Sequence, residues 1–84
     1  MGKTNKIIQK MRNNPKDWRI ESLEAISQGL GIQIRKSGGS HVVFMHDNSD
    51  LLVTIPAKRP IKPIYIKQFL TLIDSIGEQN GKKN

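Results

Sequence analysis

The sequence predicts an α+β domain in which helices cover one face of a three-stranded antiparallel sheet, in the order α-α-β-β-β-α. Three observations predict it. Apolar residues follow a helical period up to Leu30, alternate from Gly31 to Ile55, and return to a helical period after Pro63. Turn-forming residues at 37–40 and 47–50 cut the alternating stretch into three runs. The chain has 84 residues, a length that suits a single domain.

The elements follow in order. Ile7, Ile8 and Met11 share one face of a helix over Asn5–Asn13, and Asn13-Asn14-Pro15 stops it, because a residue before proline avoids the helical region. Residues 1–17 thus form an N-terminal helical extension. Trp18 is the anchor expected to join it to the body, since a tryptophan buries a large area. Leu23, Ile26 and Leu30 mark a second helix over Glu21–Gln28, with Glu21 and Glu24 near its positive end and Gly29 or Gly31 as its C-cap. Gly31–Lys36 is the first strand, and Ser37-Gly38-Gly39-Ser40 a hairpin connection. His41–His46 is the second strand, Asp47–Asp50 a turn, and Leu51–Ile55 the third strand, ended by Pro56. Pro63 sits where a first-turn proline is tolerated, and Ile66, Phe69, Leu70, Ile73 and Ile76 form the apolar stripe of a final helix. Residues 1–4 should fray, and 77–84 should form a flexible polar tail.

Strand alternation predicts which groups face away from the helices. With Ile32, Ile34, Val42 and Phe44 inward, the open face carries Arg35, His41, Val43, Met45 and Thr54, with Lys36 at its rim. Leu51, Val53 and Ile55 make the larger inward set of the third strand.

Composition narrows the chemistry. The formal charge is +7, from 14 Lys and Arg against 7 Asp and Glu, which points to a polyanionic partner such as nucleic acid. There are no cysteines, so a disulfide framework, a thiolate zinc site and a thiol nucleophile are excluded. No apolar run approaches the ~18 residues that span a membrane, and the basic start leads into no apolar signal segment. The expectation is a cytoplasmic protein with no membrane partner.

The most informative segment is Gly38-Gly39-Ser40-His41-Val42-Val43-Phe44. A glycine turn delivers a histidine to the first residue of a strand. Histidine is the side chain suited to both accept and donate a proton near neutrality. In a short basic chain with this element order, the arrangement resembles the HicA (YcfA-like) family of toxin–antitoxin mRNA interferases. The resemblance runs from about Ser22 to Ile76. It takes in the helix Leu23–Leu30 ending in Gly29-Leu30-Gly31, the strand Ile32–Lys36, and Gly39-Ser40-His41. Val42-Val43-Phe44, Thr54-Ile55-Pro56 and the helix beginning near Pro63 complete it. It implies a fold like that of double-stranded-RNA-binding domains and ribosome-independent cleavage of mRNA with His41 essential. It also implies a HicB-type antitoxin that covers the active face. Two departures stand out. Many family members carry a second histidine after the strand-three proline, where this chain has Ala57-Lys58, and residues 1–17 precede the family's usual start.

The chemistry expected is metal-independent and cofactor-free. Asp47 and Asp50 share a turn but make no two-metal carboxylate cluster. Ser40 and His41 are strand neighbours that point to opposite faces, so they do not form a nucleophile–base pair. His41 would act instead on the RNA's own 2′-hydroxyl or on the leaving 5′-oxygen. Lys36, Lys58, Arg59 and Lys62 would stabilise the phosphate charge. Together with Arg35, Gly39 and Ser40 they form the expected contact set for single-stranded RNA. His46 falls opposite His41 in the pleat and is expected to be structural or exposed. Two other readings use the same surface: an RNA-binding module without catalysis, and an interaction domain for an acidic protein.

Overall fold

Around a small sheet of order β1-β2-β3, the computed structural model describes residues 2–36, 38–58 and 60–79. Its elements are α1 (Gly2–Asn13), α2 (Ile20–Leu30), β1 (Gln33–Lys36), β2 (His41–Met45), β3 (Leu52–Pro56) and α3 (Pro63–Gln79). The predicted α+β class and the α-α-β-β-β-α order are therefore observed. Both strand pairs are antiparallel, with Ile34 opposite Phe44 and Phe44 opposite Val53. No helix among the described residues is long and apolar enough to cross a membrane.

The pleat sorts the sheet into two faces. Val42, Phe44, Val53 and Ile55 are buried on the helix side. Phe44 is fully buried, and its ring meets that of Phe69 edge to face, with centroids 5.2 Å apart and planes at 70°. α2 packs on β1, α3 packs on β3, and α1 lies against α2 and α3. The expected stripe of α3 is observed in Ile66, Phe69, Leu70 and Ile76, which are buried, while Ile73 is partly buried. Leu72, outside that stripe, is also fully buried, because it stands one turn from both Phe69 and Ile76.

Helix ends follow local chemistry. Gly31, at φ 74°, is the left-handed cap of α2, and both its N–H and that of Ile32 donate to the Ser27 carbonyl. Gly29 remains inside the helix. Ser27 is fully buried, with its hydroxyl donating to the Leu23 carbonyl at 2.8 Å, so its polar atom is satisfied. α1 joins the helix layer through Ile8 and Met11, both buried. A two-pronged contact adds to this, Arg12 Nη1 donating to Asp74 Oδ2 at 3.2 Å and Nη2 to Oδ1. Donating to the Asp74 carboxylate raises the Arg12 guanidinium pKa above its ordinary value. An exposed pair of this kind contributes about 0–1 kcal/mol, so the apolar contacts dominate.

Several boundaries differ from expectation. α1 begins at Gly2 rather than Asn5, and α3 continues through Gly77 to Gln79. Burial of Ile76 holds the last turns of α3 despite the glycine. The rest of the expected tail, residues 80–84, lies outside the described residues. Leu51 precedes β3 and is 40% exposed, so it is not part of the inward set. Lys36 pairs with Val42 and so has helix-side parity, rather than standing at the open rim. Its Nζ lies 3.3 Å from Glu24 Oε2 of α2.

Phe44→Ala should remove the central apolar contact and cost about 3–5 kcal/mol. Urea denaturation followed by circular dichroism should show the midpoint fall sharply or the cooperative transition disappear.

Candidate functional site

Three connections meet at one end of β2. The first is the glycine turn. Gly38 adopts φ 74°, a left-handed conformation that glycine takes without steric cost. A Cβ at Gly39 would meet nothing within 4 Å, so the fold itself places no side-chain restriction there. The turn hands the chain to His41, which opens β2 opposite Pro56 and shares the open face with Val43 and Met45. His41 is exposed, and among the described residues its imidazole has no hydrogen bond or ion pair.

The second connection, residues 57–62, is tied down at both ends. The Ala57 N–H donates to the Ser40 carbonyl at 2.6 Å, which carries the β2–β3 ladder past Pro56. At the far end the Ile61 N–H donates to the Trp18 carbonyl at 2.8 Å, in an isolated antiparallel bridge. Ile61 is buried, and Lys62 begins α3 by accepting from the Tyr65 and Ile66 N–H groups.

The third connection joins α1 to α2. Trp18 is the expected anchor: its ring packs partly buried against the core, and its Nε1–H donates to the Asn14 carbonyl at 2.6 Å. Lys16 N–H donates to Asn14 Oδ1 at 3.2 Å, an Asx turn. Asp17 stands at φ 65°, the one non-glycine residue at positive φ among those described.

Between these connections lies an open cleft of about 1000 Å³. Ser40 and His41 line it from the glycine turn, and Lys58 and Lys62 from the basic loop. Four predicted site residues are thus brought together. Lys16, Asp17 and Tyr65 line the same cleft, and sequence reasoning did not single them out. No local pattern could have done so for Lys16 and Asp17, which precede His41 by more than twenty positions. Tyr65 carried a faint signal as the only tyrosine, in the first turn of a helix beside a basic loop.

The other predicted residues fall elsewhere. Arg35 is exposed on the open face opposite Val43, diagonal to His41 at a typical separation of about 7–8 Å. It does not line the cleft. Gly39 is exposed beside the cleft, Lys36 faces Glu24, and Arg59 lies outside the described residues. His46 is five residues along from His41, about 17 Å at the usual strand rise. Its Nδ1 accepts the Asn48 N–H at 2.9 Å, so it organises the β2–β3 turn. The acidic turn is likewise engaged locally, Asp47 Oδ1 accepting from Gln33 Nε2 at 3.2 Å. Among the described residues no three His, Asp or Glu side chains form a group able to hold a metal ion.

No protein-family model, no curated protein and no solved structure matches the chain.

The left-handed backbone at Asp17 suggests a direct stability test. A β-branched side chain is poorly tolerated at positive φ, whereas glycine is unrestrained there. Asp17→Val should lower stability by about 1–2 kcal/mol, and Asp17→Gly should leave it nearly unchanged. Thermal melts of the two variants beside the parent measure the difference.

Proposed function

We propose that the chain is a HicA-like endoribonuclease, the toxin of a toxin–antitoxin pair, and that it cleaves single-stranded mRNA without a metal. One observation carries this reading. An exposed imidazole, His41, shares a cleft with two exposed lysines, Lys58 and Lys62. Those lysines make no ion pair among the described residues. The element order and the glycine turn before His41 agree with the family resemblance.

In the reaction, His41 takes the proton of a ribose 2′-hydroxyl. The 2′-oxygen forms a bond to the adjacent phosphorus, and the bond from phosphorus to the 5′-oxygen breaks. The His41 imidazolium returns its proton through water to the departing 5′-oxygen, leaving a 2′,3′-cyclic phosphate and a 5′-hydroxyl. Proton transfer by one positioned group contributes typically about 10²–10⁴-fold. Lys58 and Lys62 stabilise the charge that grows on the phosphate oxygens.

A HicB-type antitoxin is the partner that goes with this reading. The sheet face away from the helices offers it a surface: Val43 and Met45 are partly buried, Leu52 is 61% exposed, and no described element covers them. Toxicity on expression, relieved by the product of an adjacent reading frame, would support the pairing. One observation favours a binding module without catalysis: no described side chain hydrogen-bonds the His41 imidazole to orient it.

Cleavage of labelled RNA separates the two. His41→Ala should abolish cleavage while keeping the thermal melt and RNA binding close to those of the parent. Equal cleavage by the variant would sink the catalytic assignment, and an intact but shifted band from the parent would favour the binding module. EDTA should leave the rate unchanged; loss restored by Mg²⁺ would point to a metal-dependent route.

The lysine assignment has its own measurement. Each phosphate neutralised on a single strand contributes about 0.7 to the slope of log K against log salt. Lys58→Gln with Lys62→Gln should therefore lower that slope by about 1.4. An unchanged slope would assign both lysines to solvent.

A further inference from the structure

The N-terminal extension has no counterpart in the resemblance, yet it reaches the His41 cleft. Lys16 and Asp17 line that cleft and also line a second recess of about 390 Å³. The second recess continues over the α1–α2 connection to Lys10, Asn13 and Asn14. The two recesses thus share Lys16 and Asp17 in their walls. Lys10 and Lys16 are exposed and make no ion pair among the described residues. Among the described residues Asp17 is the single carboxylate lining either recess, against the four lysines Lys10, Lys16, Lys58 and Lys62.

The connection is also held in shape. Asn14 N–H donates to the Lys10 carbonyl at 2.9 Å, ending α1, and Asn14 then accepts from both Lys16 and Trp18. Trp18 is in turn bridged to Ile61. The backbone that carries Lys16 is therefore fixed relative to the loop that carries Lys58 and Lys62. A cation on a fixed backbone favours phosphate at a defined place.

We infer that the α1–α2 connection is a second phosphate-binding subsite for single-stranded RNA, in which Lys16 and Lys10 hold the strand as it leaves the His41 cleft. This rests on the ribonuclease reading above and assigns the extension a part in substrate binding. Backbone tracking by a line of cations is how single strands are held without sequence preference.

The test is the salt dependence of binding to a single-stranded RNA long enough to cross both recesses. It uses the full chain carrying His41→Ala, so that the strand stays intact. Adding Lys10→Gln and Lys16→Gln should lower the slope of log K against log salt by about 1.4, two phosphates at about 0.7 each. Lys10→Arg with Lys16→Arg keeps both charges and should restore the slope. Lys67→Gln removes an exposed α3 charge outside both recesses and should leave it unchanged.

An unchanged slope in the Lys10/Lys16 glutamine variant overturns the subsite. So does an equal loss per charge in Lys67→Gln, which would mean diffuse attraction. Cleavage by the parent chain, measured alongside, keeps the two inferences apart. Cleavage with an unchanged glutamine-variant slope removes the subsite alone. A lowered slope without cleavage keeps the subsite and removes the nuclease. Absence of RNA binding by the parent removes both.

Discussion

The fold depends on the contact between Phe44 and Phe69. A three-stranded sheet is not stable in water with both faces open, so one face must be covered. Phe44 lies in the middle strand, opposite Ile34 on one side and Val53 on the other. Its edge-to-face meeting with Phe69 sets α3 against that face, and α2 covers the β1 side. With both helices on one side, strand alternation leaves His41, Val43 and Met45 on the other. The exposure of the histidine is thus a consequence of how the core is closed.

A second constraint builds the site from that scaffold. Pro56 faces His41 at a position of the antiparallel ladder that needs no inter-strand N–H, and the next rung is the Ala57 N–H donating to the Ser40 carbonyl. That bond holds the basic loop beside the glycine turn. The Trp18–Ile61 bridge then pins the other end of the loop to the α1–α2 connection. Two backbone bonds therefore bring three remote segments to one cleft. They also give the short helix α1 a place in the molecule, together with Ile8, Met11 and the Arg12–Asp74 pair.

Much of the architecture was legible in the chain. The turn between β2 and β3, the change of period at Gly31 and the helix start at Pro63 all appear as read. Errors gathered where local rules compete. Residues 1–4 and 77–84 are expected to fray, yet α1 begins at Gly2 and α3 runs past Gly77, whose glycine cost of about 1 kcal/mol the helix absorbs. Leu51 is expected inside as part of the larger alternating set with Val53 and Ile55, but the strand starts after it. Lys36 shows the same limit. It is expected at the rim of the open face, whereas the register with Val42 gives it helix-side parity and its Nζ lies 3.3 Å from Glu24 Oε2.

The sequence by itself determined the element order, the excess of positive charge and the delivery of His41 by a glycine turn to the start of a strand. These are local properties, governed by periodicity, turn chemistry and residue type. Only the tertiary structure decided which cations stand near that histidine. Lys58 and Lys62 line its cleft, Lys36 is drawn to a glutamate, and Lys16 enters from a connection with no motif. The reason is physical. Convergence of distant segments is set by register, by which sheet face is buried and by single backbone bonds between loops, and none of these leaves a repeating mark in the chain.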